Sequence, residues 1–124
     1  MLEDSSVAER NYGDWKQRPW DIVHDLLESG QVPPNGESFD AFVQRVVNGL
    51  ANIFVLPERP VLIVTHGGVF DALLGHFRCK VADVQNCHLY EFSSAKNKSA
   101  FPWKIERYEF SEDGKLAHQA IQIF

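Results

Sequence analysis

Several things are scarce in this chain of 124 residues. It has two cysteines, Cys79 and Cys87, too few for the disulfide framework that staples small secreted domains, and they fit a reduced, cytoplasmic protein. Neither they nor the five scattered histidines show a metal-type spacing, so no metal site and no cofactor is expected. Twelve basic residues against 17 acidic ones leave a net charge of −5, and the lysines and arginines form no cluster. Nucleic acid and anionic membrane are therefore poor candidate partners. No apolar run approaches a membrane span, and Met1-Leu2-Glu3-Asp4-Ser5-Ser6 lacks the basic-then-apolar profile of a signal peptide. Internal repeats and low-complexity tracts are absent as well.

What remains is an ordinary globular composition, 44% hydrophobic and 23% charged, in a chain long enough for one core. Residues 1–124 are expected to form a single domain. Residues 1–14 read as loop. Pro19 suits the first turn of a helix whose apolar face is Trp20, Val23, Leu26 and Leu27, and Gly30 ends it. After the rigid connector Val32-Pro33-Pro34-Asn35-Gly36, Ser38 is a good N-cap for a second helix. There Phe39, Phe42, Val43, Val46, Leu50 and Ile53 keep helical spacing, with Asp40, Gln44, Arg45 and Asn48 elsewhere on the wheel. Pro57 and Pro60 close that helix. Towards the C-terminus, Cys87 to Phe92 reads as a strand and Ser93 to Ser99 as a polar loop. Trp103 to Phe110 and Leu116 to Phe124 flank Ser111-Glu112-Asp113-Gly114, a hairpin signal.

The stretch that reads as chemistry is residues 59–72. Val61-Leu62-Ile63-Val64 is a continuous apolar run of strand length, as in a strand covered on both faces. It leads into Thr65-His66-Gly67-Gly68, and Val69, Ala72, Leu73 and His76 then show helical spacing. This puts a histidine at the carboxyl end of a strand, beside two glycines opening a helix. Open α/β sheets bind ligands at that place, and helix-terminal amides suit anions such as phosphate. A tight strand-to-helix turn carrying an incidental histidine accounts for the local pattern equally well. The whole is an α/β pattern in which only one strand is of the parallel type, and the chain supplies it with few partners.

Three separated stretches bear on that choice. Glu9-Arg10-Asn11-Tyr12-Gly13-Asp14-Trp15 resembles the Glu-x-x-aromatic-Gly-x-Trp segment of the histidine phosphatase superfamily, the phosphoglycerate mutase-like proteins. Pro34-Asn35-Gly36-Glu37-Ser38 resembles its Pro-x-Gly-Glu-Ser helix start. Val64-Thr65-His66-Gly67-Gly68-Val69, with Ala72-Leu73-Leu74 behind it, resembles its second histidine motif. Each is weak singly, but order and spacing agree from about Glu9 to the strand near Cys87. Pro19-Trp20 after Gly13-Asp14-Trp15 is similar to the broad-specificity and α-ribazole phosphatase branches.

The resemblance implies a three-layer α/β/α domain with a mixed sheet, of which this chain is the C-terminal portion with the N-terminal part missing. It also implies phosphoryl transfer from a small phosphorylated metabolite to a histidine, then to water or back to substrate. His66 would be the pocket histidine donating to the phosphoryl group, beside the amides of Gly67 and Gly68. Glu9 would give the proton to the leaving alkoxide, and Arg10 would offer a fork to phosphate oxygens. Without the other motifs, Glu9 and Arg10 read as a solvated charge pair in a loop. Glu37 reads as a favourable acid in a first helical turn, and His24, His76, His88 and His118 as structural or solvated. Trp15 and Trp20 read as packing aromatics.

The departures are as informative. The family opens with a strand ending in Arg-His-Gly, whose histidine attacks phosphorus, and later supplies a further arginine from a Ser-x-x-x-Arg segment. This sequence contains no Arg-His-Gly, and nothing like the arginine segment precedes Glu9. Lys16 replaces the usual acid after Trp15, and Asp71 stands where an arginine is common. The expectation is a chain inactive alone, or alternatively a non-catalytic remnant serving as a phospholigand-binding or interaction module. An apolar strand left without its neighbour also predicts a homo-oligomer formed through an exposed sheet edge.

Overall fold

Prolines and caps place the helices much as their spacing predicts. A computed structural model describes residues 1–81, 84–96 and 100–124, which divide into two compact units, Met1–Leu73 and Leu74–Phe124. In the first unit, Pro19 precedes helix α1, Trp20–Glu28, and Gly30 lies just beyond it with φ of 79°. Gly30 and Gln31 donate their amides back to the carbonyls of Leu27 and Leu26, closing the helix end. Val23 is the residue of α1 that becomes buried, while Trp20 stays 60% exposed and meets Tyr12 edge-to-face.

Helix α2, Phe39–Phe54, starts at Ser38, whose hydroxyl accepts the Ala41 amide at 3.1 Å. Such a cap contributes about 1 kcal/mol. Phe42, Val43, Val46 and Leu50 form its buried face, and Val7 and Trp15 join the same core from short 3-10 turns at Ser5–Val7 and Gly13–Trp15. Helix α3, Gly67–His76, begins on the two glycines, as the sequence suggests, and buries Val69, Ala72 and Leu73.

The buried parallel strand expected at residues 61–65 does not form. Among the described residues this segment pairs with no strand and makes no backbone–backbone hydrogen bond, and Leu62 and Val64 are 74% and 87% exposed. A strand's amides and carbonyls are satisfied by neighbours, and the described residues bring none beside it. The α/β class holds, and among the described residues the sheet is antiparallel throughout rather than mixed.

That sheet belongs to the second unit and runs in the order β1-β2-β3: Leu89–Ser94, Trp103–Phe110 and Leu116–Ala120. Strand β1 begins two residues after Cys87, whose φ of 62° belongs to a turn, and it takes in Ser93 and Ser94. The rest of the expected polar loop falls partly on residues 97–99, outside the described residues. The hairpin between β2 and β3 turns at Ser111–Gly114, where the Ser111 amide donates to the Lys115 carbonyl at 2.8 Å. Strand β3 ends at Ala120, short of the expected Phe124; beyond it Ile123 bridges Val81, and Lys80 and Phe124 exchange amide–carbonyl bonds. Ile105 and Phe101 are buried here, and Phe77, Phe101 and Trp103 meet edge-to-face with ring centroids 5.4–5.5 Å apart.

Candidate active site

Every site residue read from the sequence lies in the first unit, and the structure brings Glu9 to His66 across 57 residues of chain. The Glu9 carboxylate accepts the Arg10 amide through Oε1 at 2.8 Å, and its Oε2 lies 3.8 Å from His66 Nδ1. Their side chains are 37% and 64% exposed, so the pair is open to a ligand from solvent. His66 directly precedes α3, and its carbonyl accepts the Val69 amide at 3.1 Å. The amides of Gly67 and Gly68 therefore belong to the first turn, where no carbonyl one turn earlier in the helix is available to them. Gly68 is required by contact: a Cβ there would lie 2.3 Å from Glu9 Oε1. Thr65 fastens the segment by donating its hydroxyl to the Val7 carbonyl.

Arg10 reaches the same neighbourhood but is held differently from the expected phosphate fork. Its Nε and Nη2 donate to the Glu37 carbonyl at 3.1 and 3.0 Å, which leaves Nη1 for another acceptor. The guanidinium carbon lies 5.7 Å from the Tyr12 ring centroid and 5.9 Å from that of Phe39.

Glu37 is more than an acid in a first helical turn. Its carboxylate forms a bidentate pair with Arg45, at 2.7 and 2.8 Å, and accepts the Asn11 amide at 2.9 Å. The Arg45 hydrogen bond is the main cause holding the Glu37 carboxyl below its ordinary range, against the opposing effect of desolvation. Arg45 was missed in the sequence, where it is one of several polar residues on the outer side of α2. Its only signal is an arginine beside the apolar face of a helix that starts at the Glu37 motif. Tyr12 and Asp71 also border the site. Desolvation first and the Glu9 charge second raise both groups above their ordinary values, although Asp71 keeps much of its surface in solvent.

The remaining histidines have surroundings of their own. His24 is exposed on α1, His88 lies 3.8 Å from Glu109, and His118 stacks on Tyr108 with ring centroids 5.4 Å apart. Among the described residues no group of three His, Cys, Asp or Glu side chains is placed to hold a metal ion, and no helix is long and apolar enough to cross a membrane.

Comparison with known proteins agrees with the motifs. The family model of the histidine phosphatase superfamily (branch 1) matches residues 1–101. The chain belongs to that superfamily, and its domain is of the α/β, phosphoglycerate mutase-like kind. It is 27% identical to the uncharacterized phosphatase PhoE of Bacillus subtilis over 90% of this chain and 58% of that protein. It is 33% identical to an adenosylcobalamin/alpha-ribazole phosphatase of Salmonella typhimurium over 55% of this chain and 39% of the relative. With a 2,3-bisphosphoglycerate-dependent phosphoglycerate mutase of Cytophaga hutchinsonii the identity is 32%, over 76% of this chain and 54% of the mutase. The chain thus spans about half the length of these relatives. No solved structure matches it.

Proposed function

We propose that this protein binds the phosphoryl group of a small phosphorylated metabolite between His66, Glu9 and the first turn of α3, in the manner of a phosphomonoesterase or mutase acting through a phosphohistidine. The observation that carries the reading is the approach of the Glu9 carboxylate to within 3.8 Å of His66 Nδ1 at the N-terminus of α3. An imidazole, helix-terminal amides and the Nη1 of Arg10 together offer donors to phosphoryl oxygens. Glu9 is the group next to them able to hand a proton to an oxygen leaving phosphorus. In that chemistry an attacking imidazole bonds to phosphorus as the ester P–O bond breaks, and the alkoxide takes its proton from the acid.

The attacking imidazole is the part this sequence does not offer, since it contains no Arg-His-Gly. We therefore assign binding without turnover to the 124-residue chain, as a single cytoplasmic domain. His66 does not substitute as nucleophile, because the phosphoryl group would then lose its donor. Loss of the attacking group in a cooperative site removes nearly all the rate. The same chain is also proposed to self-associate through residues 61–65, where Leu62 and Val64 are exposed and the backbone, among the described residues, pairs with no other backbone.

Titration with inorganic phosphate, followed through the histidine ring signals by NMR, tests the site. The His66 signals are expected to shift with weak affinity, and those of His24 and His118 to stay. Movement of His24 or His118 without His66 refutes the assignment. Formation of phosphohistidine from a generic phosphoester, abolished by His66→Ala, would show that the roles are misassigned.

A further inference from the structure

The segment that carries Glu9 and Arg10 has little secondary structure of its own. Before Glu9 it holds one short turn, Ser5–Val7, with long amide–carbonyl bonds of 3.3 and 3.2 Å, and α2 lies elsewhere in sequence. Beyond the burial of Val7 and the Thr65 hydroxyl on its carbonyl, the backbone of this segment is held by one guanidinium. Arg45 Nη1 lies within 2.9–3.1 Å of the carbonyls of Ser5, Ser6 and Ala8, and Nη2 donates to the Glu9 carbonyl at 3.2 Å. The opposite edge of the same group, Nε and Nη2, pairs with both Glu37 oxygens. Glu37 in turn accepts the Asn11 amide through Oε2 and the Arg10 guanidinium through its main-chain carbonyl. The face of Phe42, fixed in the core, lies 5.2 Å from the Arg45 guanidinium carbon.

We propose that Arg45 and Glu37 are positioning residues of the phosphoryl site: together they fix the backbone on both sides of Glu9 and so set Glu9 against His66 and Arg10 beside it. The chemistry fits the task. A planar guanidinium offers five N–H groups in a fixed fork, which lets it serve a carboxylate on one edge and carbonyls on the other. A lysine ammonium carries the same charge but cannot span both edges. Glu37 neutralises that charge where it is largely withdrawn from solvent, the two side chains being 20% and 27% exposed. Neither residue is placed to touch phosphate: their polar atoms are committed to each other and to the chain.

The proposal rests on the phosphoryl-site reading of Glu9, Arg10 and His66, and its test separates the two. The ring signals of His66 are recorded with and without Glu9→Gln, first in the wild-type chain and then in the Arg45→Lys and Glu37→Gln backgrounds. Inorganic phosphate is titrated into each, and thermal melting establishes the temperature at which every variant is folded. In the wild type, Glu9→Gln is expected to move the His66 signals. In either background that response falls by more than half, and phosphate binds about tenfold more weakly, the equivalent of one lost charge-assisted contact. Arg45→Lys keeps the charge and Glu37→Gln keeps the shape, so one folded background suffices. Folded variants that retain both the Glu9 response and the wild-type affinity would reduce the pair to a stabilising contact and overturn the proposal. So would a wild-type His66 indifferent to Glu9→Gln. A wild type silent to phosphate, whose Glu9 response still collapses without Arg45 or Glu37, removes the phosphoryl reading and leaves the positioning role standing.

Discussion

Replacing Gly68 by alanine separates stability from site geometry. A Cβ at this position meets Glu9 Oε1 at 2.3 Å, Cδ at 3.2 Å and Oε2 at 3.4 Å. All three are the far end of a flexible, half-exposed side chain, so the carboxylate gives way while the backbone stays. Restoring ordinary contact needs a displacement of about 1 Å. On the stability side, alanine in place of glycine in a helix gains up to about 1 kcal/mol. Against this stands the bond from the Arg10 amide to Glu9, whose loss at a partly exposed site costs about 1 kcal/mol. The two offset, and Gly68→Ala is expected to unfold within about 1 kcal/mol of the wild type in urea. Meanwhile Glu9 leaves its place beside His66. The His66 ring signals are therefore expected to shift, and phosphate affinity to fall several-fold, in a protein of unchanged stability. A loss of more than 2 kcal/mol would show that the backbone, not the Glu9 side chain, absorbs the clash. Unchanged His66 signals would show that Glu9 and His66 are not coupled.

Four other outcomes follow from the same structure. Phe42→Ala removes a ring 2% exposed at the centre of the α2 core and is expected to cost about 3–5 kcal/mol in urea unfolding. Glu37 has its folded-state carboxyl lowered, so its contribution is complete above the ordinary glutamate value and lost as pH falls through the lowered one; Glu37→Gln should flatten the acid limb of the melting temperature against pH. Asp71 is raised, so its contribution is complete below the ordinary aspartate value and lost as pH rises through the raised one; Asp71→Asn should melt higher at pH 7 and gain nothing at pH 3. For the proposed self-association, light scattering across a dilution series should show Leu62→Thr with Val64→Thr to be smaller in mean mass than the wild type, and a wild type monomeric at every concentration removes that proposal.

Helices were legible because their information is local. Spacing of Phe42, Val43, Val46 and Leu50, the Ser38 cap and the stop at Gly30 each act within a few residues, and each is found where the pattern puts it. The Ser111–Gly114 turn was legible for the same reason. The segment at residues 61–65 was not, because an apolar run becomes a strand only when another strand meets its backbone, and that information lies outside the run. The site divides likewise. His66 and its glycines announce themselves by position, whereas Arg45 looks like any outward-facing helix residue until the fold lays residues 5–9 across it. Glu37, read locally, is a first-turn acid; its pairing with a residue eight positions on and with an amide 26 positions back is a property of the packed unit.

That packing explains why three weak motifs become informative in order. The Tyr12-Gly13-Asp14 and Pro34-Asn35-Gly36-Glu37 stretches are one structural object. The Asp14 amide donates to the Pro34 carbonyl at 2.9 Å, the Glu37 amide to the Asn11 carbonyl at 2.8 Å, and the Asn35 side chain to the Asp14 carboxylate. A Cβ on Gly13, which also holds φ of 50°, would lie 2.1 Å from the Pro34 carbonyl oxygen, and one on Gly36 would lie 2.6 Å from that of Asn11. Each glycine is thus demanded by the backbone of the other motif, which ties the two patterns together. Gly68 makes the third link in the same way, through the side chain of Glu9 rather than a backbone. A residue type fixed by a distant partner carries long-range information in a local pattern. The ordered set of glycines therefore records the geometry around Glu9 and His66 more faithfully than either of those side chains does alone.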